Sequence, residues 1–473
     1  MSRVIVIGGG ISGLAAAWEL SGGAQGPNAD TPEVIVLEGS DRLGGALRGE
    51  TIGGRVVDVG PDGFLGRRPE ALDLCHELAL GDALVPIAGR GAGVWARGRV
   101  RPLPAGLALG IPTRFWPAAR SGILGFRGNA ALARDVVAPR PDLRGPIGDR
   151  SVGPLVARKL GQRVVDMLVD PLIGGIHAGS VDDMSTVATY PPLLVAAQRR
   201  GSLMRALRAE VPKPSADAPP LFWSLEGGTS SLVHALSAAL VARGTIIHRA
   251  RSADALERQG AKWVVTSGPD AFEADGVVVA TAAPAASRLL HPLDDEIGGL
   301  LSGIDYASVT LVTFRVPEDS LAAPLVGTGF LVPRRGTGRG NDKWAVTACT
   351  YLSTKWPNLA RPGEQLLRAS LGRFGNDEAN GWSDDKVIER AWSELSTFIG
   401  VSGDPLEALV ARWPAALPQY RVHHLVRTSG IESAVARLGN VAVAGAAYRG
   451  VGIPACIASG RAAARSLLRP SAR

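Results

Sequence analysis

Six residues near the N-terminus, Gly8-Gly9-Gly10-Ile11-Ser12-Gly13, have the types and spacing to hold a diphosphate. Gly8 lets the chain turn sharply. Gly10 omits a side chain where backbone must approach a pyrophosphate, and Gly13 lets a helix lie close to a strand. A helix starting at this turn offers unpaired N–H groups and the positive end of its dipole to phosphate oxygens. Glu38 lies where an acid can accept hydrogen bonds from ribose hydroxyls. The elements that must position these groups flank them. Arg3-Val4-Ile5-Val6-Ile7 is an apolar run before the glycines, a helical pattern follows, and Val34-Ile35-Val36-Leu37 leads into Glu38. Strand, glycine turn, helix, strand and acid make the dinucleotide-binding unit of an α/β, Rossmann-like domain.

The run Glu38-Gly39-Ser40-Asp41-Arg42-Leu43-Gly44-Gly45 extends that unit. It resembles the E-x3-R-x-G-G extension of FAD-containing oxidases and desaturases, the amine oxidase-like superfamily. Gly44 and Gly45 let backbone come close to a ligand, and Arg42 adds a cation near the diphosphate. Asp58-Val59-Gly60-Pro61-Asp62-Gly63-Phe64 is similar to the superfamily's loop beneath the isoalloxazine ring. Non-covalent FAD is the expected cofactor, and the resemblance implies further contacts from Ala253 and Trp413. Toward the C-terminus, a strand ending at Gly445 runs through Val451-Gly452-Ile453-Pro454 into a helix, Ala455–Leu468. Amides at that helix start can bond the pyrimidine end of a flavin and stabilise the negative charge of its reduction. An ordinary C-terminal strand–helix unit accounts for the same residues.

The chain has 473 residues, enough for two or three domains and a large core. Its longest stretch without Asp, Glu, Lys or Arg, Gly227–Ala242, holds His234 with several Ser and Gly, so no membrane span is expected. A strand starting at residue 3 argues against a leader peptide. Cys75, Cys349 and Cys456 are far apart and form no C-x-x-C pair, which fits a reducing cytoplasm and neither a zinc site nor disulfides. Cys456 reads as a core residue rather than a flavin attachment point. His423-His424 lacks acidic partners, so no metal is expected.

The net charge of +7 is unevenly spread. Residues 90–158 carry twelve Arg, no Lys and only Asp135, Asp142 and Asp149, a local +9. A solvated basic face explains this, and so does attraction to an anionic substrate, membrane surface or partner. Nucleic acid is not expected, because the aromatics Trp95, Phe115, Trp116 and Phe126 form no regular stacking series. No strong amphipathic helix is evident in this segment.

Three pieces, 1–84, 226–294 and 428–473, read as a discontinuous FAD-binding domain. Residues 85–210 read as a helical subdomain. Residues 211–225 and 295–427 read as an inserted mixed-sheet substrate domain, with Pro212–Pro220 as a linker.

With these pieces in place, the chain resembles the oxygen-dependent protoporphyrinogen oxidase family over nearly its whole length. The most specific segments are Gly60–Leu65, Pro171–Gly179, Arg412-Trp413-Pro414, Leu417–Tyr420 and Tyr448–Gly460. The Val451–Pro454 form is similar to the family's Gram-positive branch, which acts on coproporphyrinogen III. One departure is Ala455, where the family usually has Asp.

The resemblance implies oxidation of coproporphyrinogen III to coproporphyrin III in haem synthesis, with dioxygen as acceptor and hydrogen peroxide released. It also implies transient contact with a ferrochelatase. A flat apolar macrocycle with four propionates needs apolar walls and a few cations. Arg67 and Arg68 are the leading propionate partners, although a solvated basic turn reads the same way. Gly175, Ile176 and Tyr448 are further substrate candidates. His177 is a candidate proton acceptor or a hydrogen-bonded loop histidine. Orientation over the flavin is expected to matter more than acid–base catalysis. A protoporphyrinogen oxidase, an amine oxidase or a desaturase shares the N-terminal signals, and a flavin-bearing porphyrin carrier is the non-enzymatic alternative.

Overall fold

A computed structural model describes residues 2–138, 148–210, 219–335 and 344–468. Most of the Pro212–Pro220 stretch therefore lies outside the described residues, as do Arg140, Asp142 and Arg144 of the basic segment. The first layer is a five-stranded parallel sheet, in the order Ile246–His248, Glu33–Leu37, Arg3–Ile7, Gly276–Val279, Val441–Val443. All four pairings are parallel, with Ile5 opposite both Ile35 and Val277. Side chains alternate between two buried faces, which is why these strands read as apolar runs. Val4, Val6, Val34 and Val36 pack against the helices Ile11–Leu20, Ser230–Ala242 and Ile453–Leu468. Ile5, Ile7, Ile35 and Leu37 pack against a three-stranded antiparallel sheet (Ala255–Gln259, Lys262–Ser267, Asp270–Ala274) and the helices Ala283–Leu290 and Asp295–Ser302.

A second sheet of seven strands runs Glu407–Pro418, Tyr306–Pro317, Glu364–Leu371, Val346–Tyr351, Gly329–Leu331, Gly93–Ala96, Arg99–Pro102. The last two strands come from the stretch expected to be helical, and Phe330 pairs with Gly93 in parallel. The 85–210 segment thus begins in the mixed sheet and becomes helical from Phe115 onward. Alternation again sorts this sheet. Val312, Phe314, Leu367, Ala369 and Leu371 pack on the helix Asp384–Ile399 through Val387, Ala391, Leu395 and Phe398. The intervening Val309, Leu311, Arg368 and Ser370 face a cavity.

The opposite wall of that cavity is helical. Val165–Gly174 winds as a wide π-helix containing Pro171, which cannot donate the backbone bond that a regular turn would need. The helix Gly125–Val137 buries Gly128, Leu132 and Asp135 and exposes the apolar side chains Phe126 and Val137.

Candidate active site

The glycine turn is built as its residue types require. Gly8 sits at φ +108°, where a Cβ would lie 2.7 Å from the Ala280 carbonyl oxygen. A Cβ on Gly13 would lie 1.9 Å from the Gly8 carbonyl oxygen, so the helix can approach the turn only as glycine. Gly10 is the N-cap of Ile11–Leu20 and makes a β-bridge to Gly44. Gly45 backs onto Gly10, and a Cβ there would come within 3.3 Å of the Gly10 Cα. Backbone therefore lines the groove between the two glycine clusters, and the free N–H groups of Ile11, Ser12 and Gly13 point from a helix start. This groove fits the diphosphate of FAD, because either added side chain would fill it.

Glu38 lies against the glycine turn through its carboxylate. Its Oε2 accepts from the Gly9 N–H at 2.7 Å, and its Oε1 accepts from the Ser40 N–H at 2.8 Å. A carboxylate carries about four lone-pair positions, so ribose hydroxyls can still be accepted. The Arg251 N–H donates to the Glu38 carbonyl at 2.8 Å. That bond brings Ser252 and Ala253 beside Glu38, with Gly39 tight against Ser252. Arg42 donates to the Gly45 carbonyl at 2.9 Å and lies 5.9 Å from the centre of the Trp413 ring. Trp413 in turn donates its Nε1–H to the Val59 carbonyl at 2.7 Å.

The Gly60-Pro61-Asp62-Gly63 loop is clamped by groups that sequence reading passed over. Arg368 Nη1 donates to the Asp58 and Gly60 carbonyls at 2.9 and 3.0 Å, and its Nη2 lies 3.3 Å from Asp62 Oδ1. Lys355 Nζ and Trp356 Nε1 hold Asp62 Oδ2 at 2.8 and 3.0 Å. Burial by itself would raise the Asp62 carboxyl, but the Lys355 and Arg368 charges hold it far below the usual carboxylate range. A lone arginine inside Leu366-Leu367-Arg368-Ala369 was the available signal, since such a cation is buried only when paired.

This loop lines a cavity of about 450 Å³. Val451 and Gly452 lie on its wall, at the start of a helix that begins at Ile453, two residues earlier than expected. Cys456 is a buried free thiol pushed up to about 11 by burial, in keeping with a core role. Ala455 sits against Gly450. Gly445, at φ +135°, donates its N–H to Ser459 Oγ at 3.0 Å and lies two residues past the last parallel strand, which ends at Val443 rather than at Gly445 as expected. The other walls are apolar: Val309, Leu311, Leu331, Val332, Ile176 and Leu417 among others. Gly175 and Ile176 are on the wall, and Ile176 is 52% exposed, an apolar side chain facing open space. Asp170 and Arg373 also line the cavity.

Four candidates lie elsewhere. Arg67 and Arg68 are exposed and off the cavity wall, and Arg68 pairs with Glu70 at 2.8 Å. The Pro69–Glu77 helix that starts there directs them to solvent. Tyr448 is buried in the core beneath the parallel sheet, not on the cavity, and its hydroxyl has no partner among the described residues. His177 is also buried off the cavity. Its ring packs 5.3 Å from Tyr420, which stacks on His424 at 4.0 Å. Burial pulls the His177 imidazole down to about 4, so it stays neutral at ordinary pH. Its backbone carbonyl accepts from Gln419 at 2.8 Å, while its ring Nδ1 is buried without a hydrogen-bond partner among the described residues. His424 Nε2 is bonded to the Tyr448 carbonyl at 2.9 Å, and no metal-ligand cluster occurs among the described residues.

The model of flavin-containing amine oxidoreductases matches residues 11–468. The chain is 31% identical to the coproporphyrinogen III oxidase of Bacillus subtilis, covering 98% of both chains. It is 33% identical to that of Mycobacterium leprae, covering 97% of this chain and 96% of the other. A solved structure described as a putative protoporphyrinogen oxidase from Exiguobacterium superposes with a TM-score of 0.87 at 30% identity, covering 99% of this chain and 98% of that one. Cyclohexylamine oxidase from Brevibacterium oxydans shares the fold, with a TM-score of 0.67 at 18% identity over 99% of this chain and 98% of its own. The chain is an FAD-dependent oxidase, and it belongs to the flavin-containing amine oxidoreductase family, in the group of the bacterial coproporphyrinogen III oxidases.

Proposed function

We propose that this oxidase converts coproporphyrinogen III to coproporphyrin III in haem synthesis, in three two-electron steps, with dioxygen as final acceptor. The carrying observation is a cavity with largely apolar walls beside the Gly60–Gly63 loop, whose charged lining residues are Arg368 with Asp62 and Arg373 with Asp170. Such a space suits a flat macrocycle whose rim is anionic. The groove along Gly8–Gly13, Glu38, Gly39, Arg42, Gly44, Gly45 and Ala253 would hold the dinucleotide. Gly60–Gly63, Trp413, Gly445 and Val451–Ile453 would hold the ring end. FAD bound there supplies the two-electron acceptor that dioxygen regenerates with release of hydrogen peroxide. The chain's own part is to orient a meso carbon, exclude water with Val309, Leu311, Leu331 and Ile176, and fix the loop through Arg368. Among the described residues no helix is long and apolar enough to cross a membrane. A cytoplasmic enzyme handing product to a ferrochelatase fits this reading.

The test is aerobic turnover with peroxide measured alongside porphyrin fluorescence. Six electrons per macrocycle require three peroxides per porphyrin, and coproporphyrinogen III should have a higher kcat/KM than protoporphyrinogen IX. The reverse preference would transfer the reading to the dicarboxylate. Tight porphyrin binding without turnover would replace the enzyme with a carrier.

A further inference from the structure

Two guanidiniums line the cavity, and their surroundings differ. Arg368 bonds two carbonyls through Nη1 and lies beside Asp62 through Nη2, which leaves only its Nε without a partner among the described residues. Arg373 is 15% exposed, yet its side chain makes no hydrogen bond among the described residues. Its one ion pair is a 3.7 Å approach of Nη1 to Asp170 Oδ2. The same Asp170 oxygen is also approached by Arg334 Nε at 3.7 Å, so two guanidiniums share one carboxylate. Asp170 is further occupied by the Val181 N–H at 3.3 Å on its other oxygen. Arg334 has its own partner in Asp182 at 3.1 Å, and Arg335 leans on the same Asp182 at 3.4 Å. Among the described residues, three cations thus face two carboxylates, and Arg373, whose guanidinium makes no hydrogen bond there, lines the cavity.

A largely buried guanidinium with one long ion pair and no hydrogen bond is incompletely compensated, and burial lowers its affinity for protons. An incoming carboxylate removes that cost by accepting two parallel N–H bonds. Arg373 also lines a second cleft of about 320 Å³, which meets the main cavity at Thr347, Gly372 and Arg373. Lys386 lies in that cleft, its Nζ 4.7 Å from the centre of the Trp382 ring. The second cleft is lined by Arg373, Lys386 and Arg390 against the single acid Glu378, while the walls of the main cavity are largely apolar.

We propose that Arg373 forms a carboxylate-binding subsite in the cavity wall, with the adjoining cleft receiving a propionate arm of the macrocycle. This rests on the porphyrinogen reading above and assigns one side chain to its anionic rim. It also replaces Arg67 and Arg68 as the leading partner for a propionate. Occupation of the subsite fixes which edge of the macrocycle faces outward, so Arg373 selects for the number of carboxylates.

The test uses FAD-loaded enzyme and two variants, Arg373→Gln and Arg373→Lys. The probes are coproporphyrin III and its tetramethyl ester, with dissociation constants read by porphyrin fluorescence. Arg373→Gln should weaken binding of the free acid about tenfold or more, as expected for loss of a charged hydrogen-bonding partner, and change ester binding less than twofold. Arg373→Lys should recover part of the acid affinity through its charge. Flavin content of each variant reports folding, and if Gln costs flavin, the acid-to-ester ratio of the Lys variant decides. Equal losses for acid and ester would make the role structural and overturn the subsite. So would an unchanged acid-to-ester ratio in an enzyme that still oxidises coproporphyrinogen III, a result that leaves the proposed function standing. Parent enzyme that neither binds the acid nor oxidises coproporphyrinogen III would overturn both.

Discussion

Asp58 and Asp62 lie on either side of the loop beneath the expected flavin and titrate in opposite directions. Asp62 is held ionised by Lys355 and Arg368, whereas burial pushes the Asp58 carboxyl from 3.8 up to about 6 despite hydrogen bonds from Thr229. A folded pKa above the unfolded one favours the protonated native state. Its stabilising effect is full below about pH 4 and is lost as pH rises through about 6. Asp58→Asn should therefore match the parent near pH 4 and exceed it by roughly 2–3 kcal/mol above pH 7 in chemical denaturation, at about 1.4 kcal/mol per pKa unit. A constant difference across that window would remove the assignment. At the other end of the cofactor groove, Glu38→Ala should lower FAD retention more than Asp41→Ala. Glu38 bridges Gly9 and Ser40, while Asp41 is exposed, and a charged hydrogen bond is worth ~1.5–3 kcal/mol. Equal FAD content in the two purified variants would contradict this. The buried Cys456 thiol offers no thiolate for attachment, so FAD should leave the denatured chain intact.

The elements were legible where local pattern determines them. Gly8–Gly13 between two apolar runs specified strand, turn and helix, and the helix Asp384–Ile399 follows from its periodicity and its Ser383 cap. The pairing of Phe330–Leu331 with Gly93–Val94 was not legible, because it joins segments far apart in sequence with no local signal. The π-helical turn at Asp170-Pro171 and the outward course of Arg67-Arg68 are likewise set by tertiary context. So the glycine turn and its flanking elements follow from local pattern, whereas Arg67 and Arg68 lie off the cavity wall. One close contact binds the two ends of the cofactor domain. A Cβ on Gly460 would lie 2.0 Å from the Ser12 carbonyl oxygen, so the last helix crosses the first at backbone contact. Gly460→Ala must push those helices apart and with them the starts at Gly10 and Gly452. A loss of about 1–3 kcal/mol and a lower FAD-to-protein ratio are expected, readable by thermal melting and absorbance. A variant with both values intact would show the crossing to be slack.

At the scale of the whole molecule, charge and cavity act together. Arg90, Arg97, Arg99, Arg114, Arg120 and Arg127 are exposed, within a chain of net charge +7. If this field draws in a tetracarboxylate, kcat/KM for coproporphyrinogen III should fall several-fold as ionic strength rises past 0.1 M, where screening acts within ~10 Å. The value for protoporphyrinogen IX should fall less, and parallel slopes would rule out a role for the extra carboxylates in capture. The central claim, that this cavity brings a porphyrinogen to the flavin, is tested most directly by anaerobic mixing of the FAD-loaded enzyme with coproporphyrinogen III. Flavin absorbance should bleach as the porphyrinogen gives up its first two electrons, and return on admission of air with release of hydrogen peroxide and the appearance of porphyrin. Flavin that stays oxidised while the porphyrinogen remains unchanged would contradict the account.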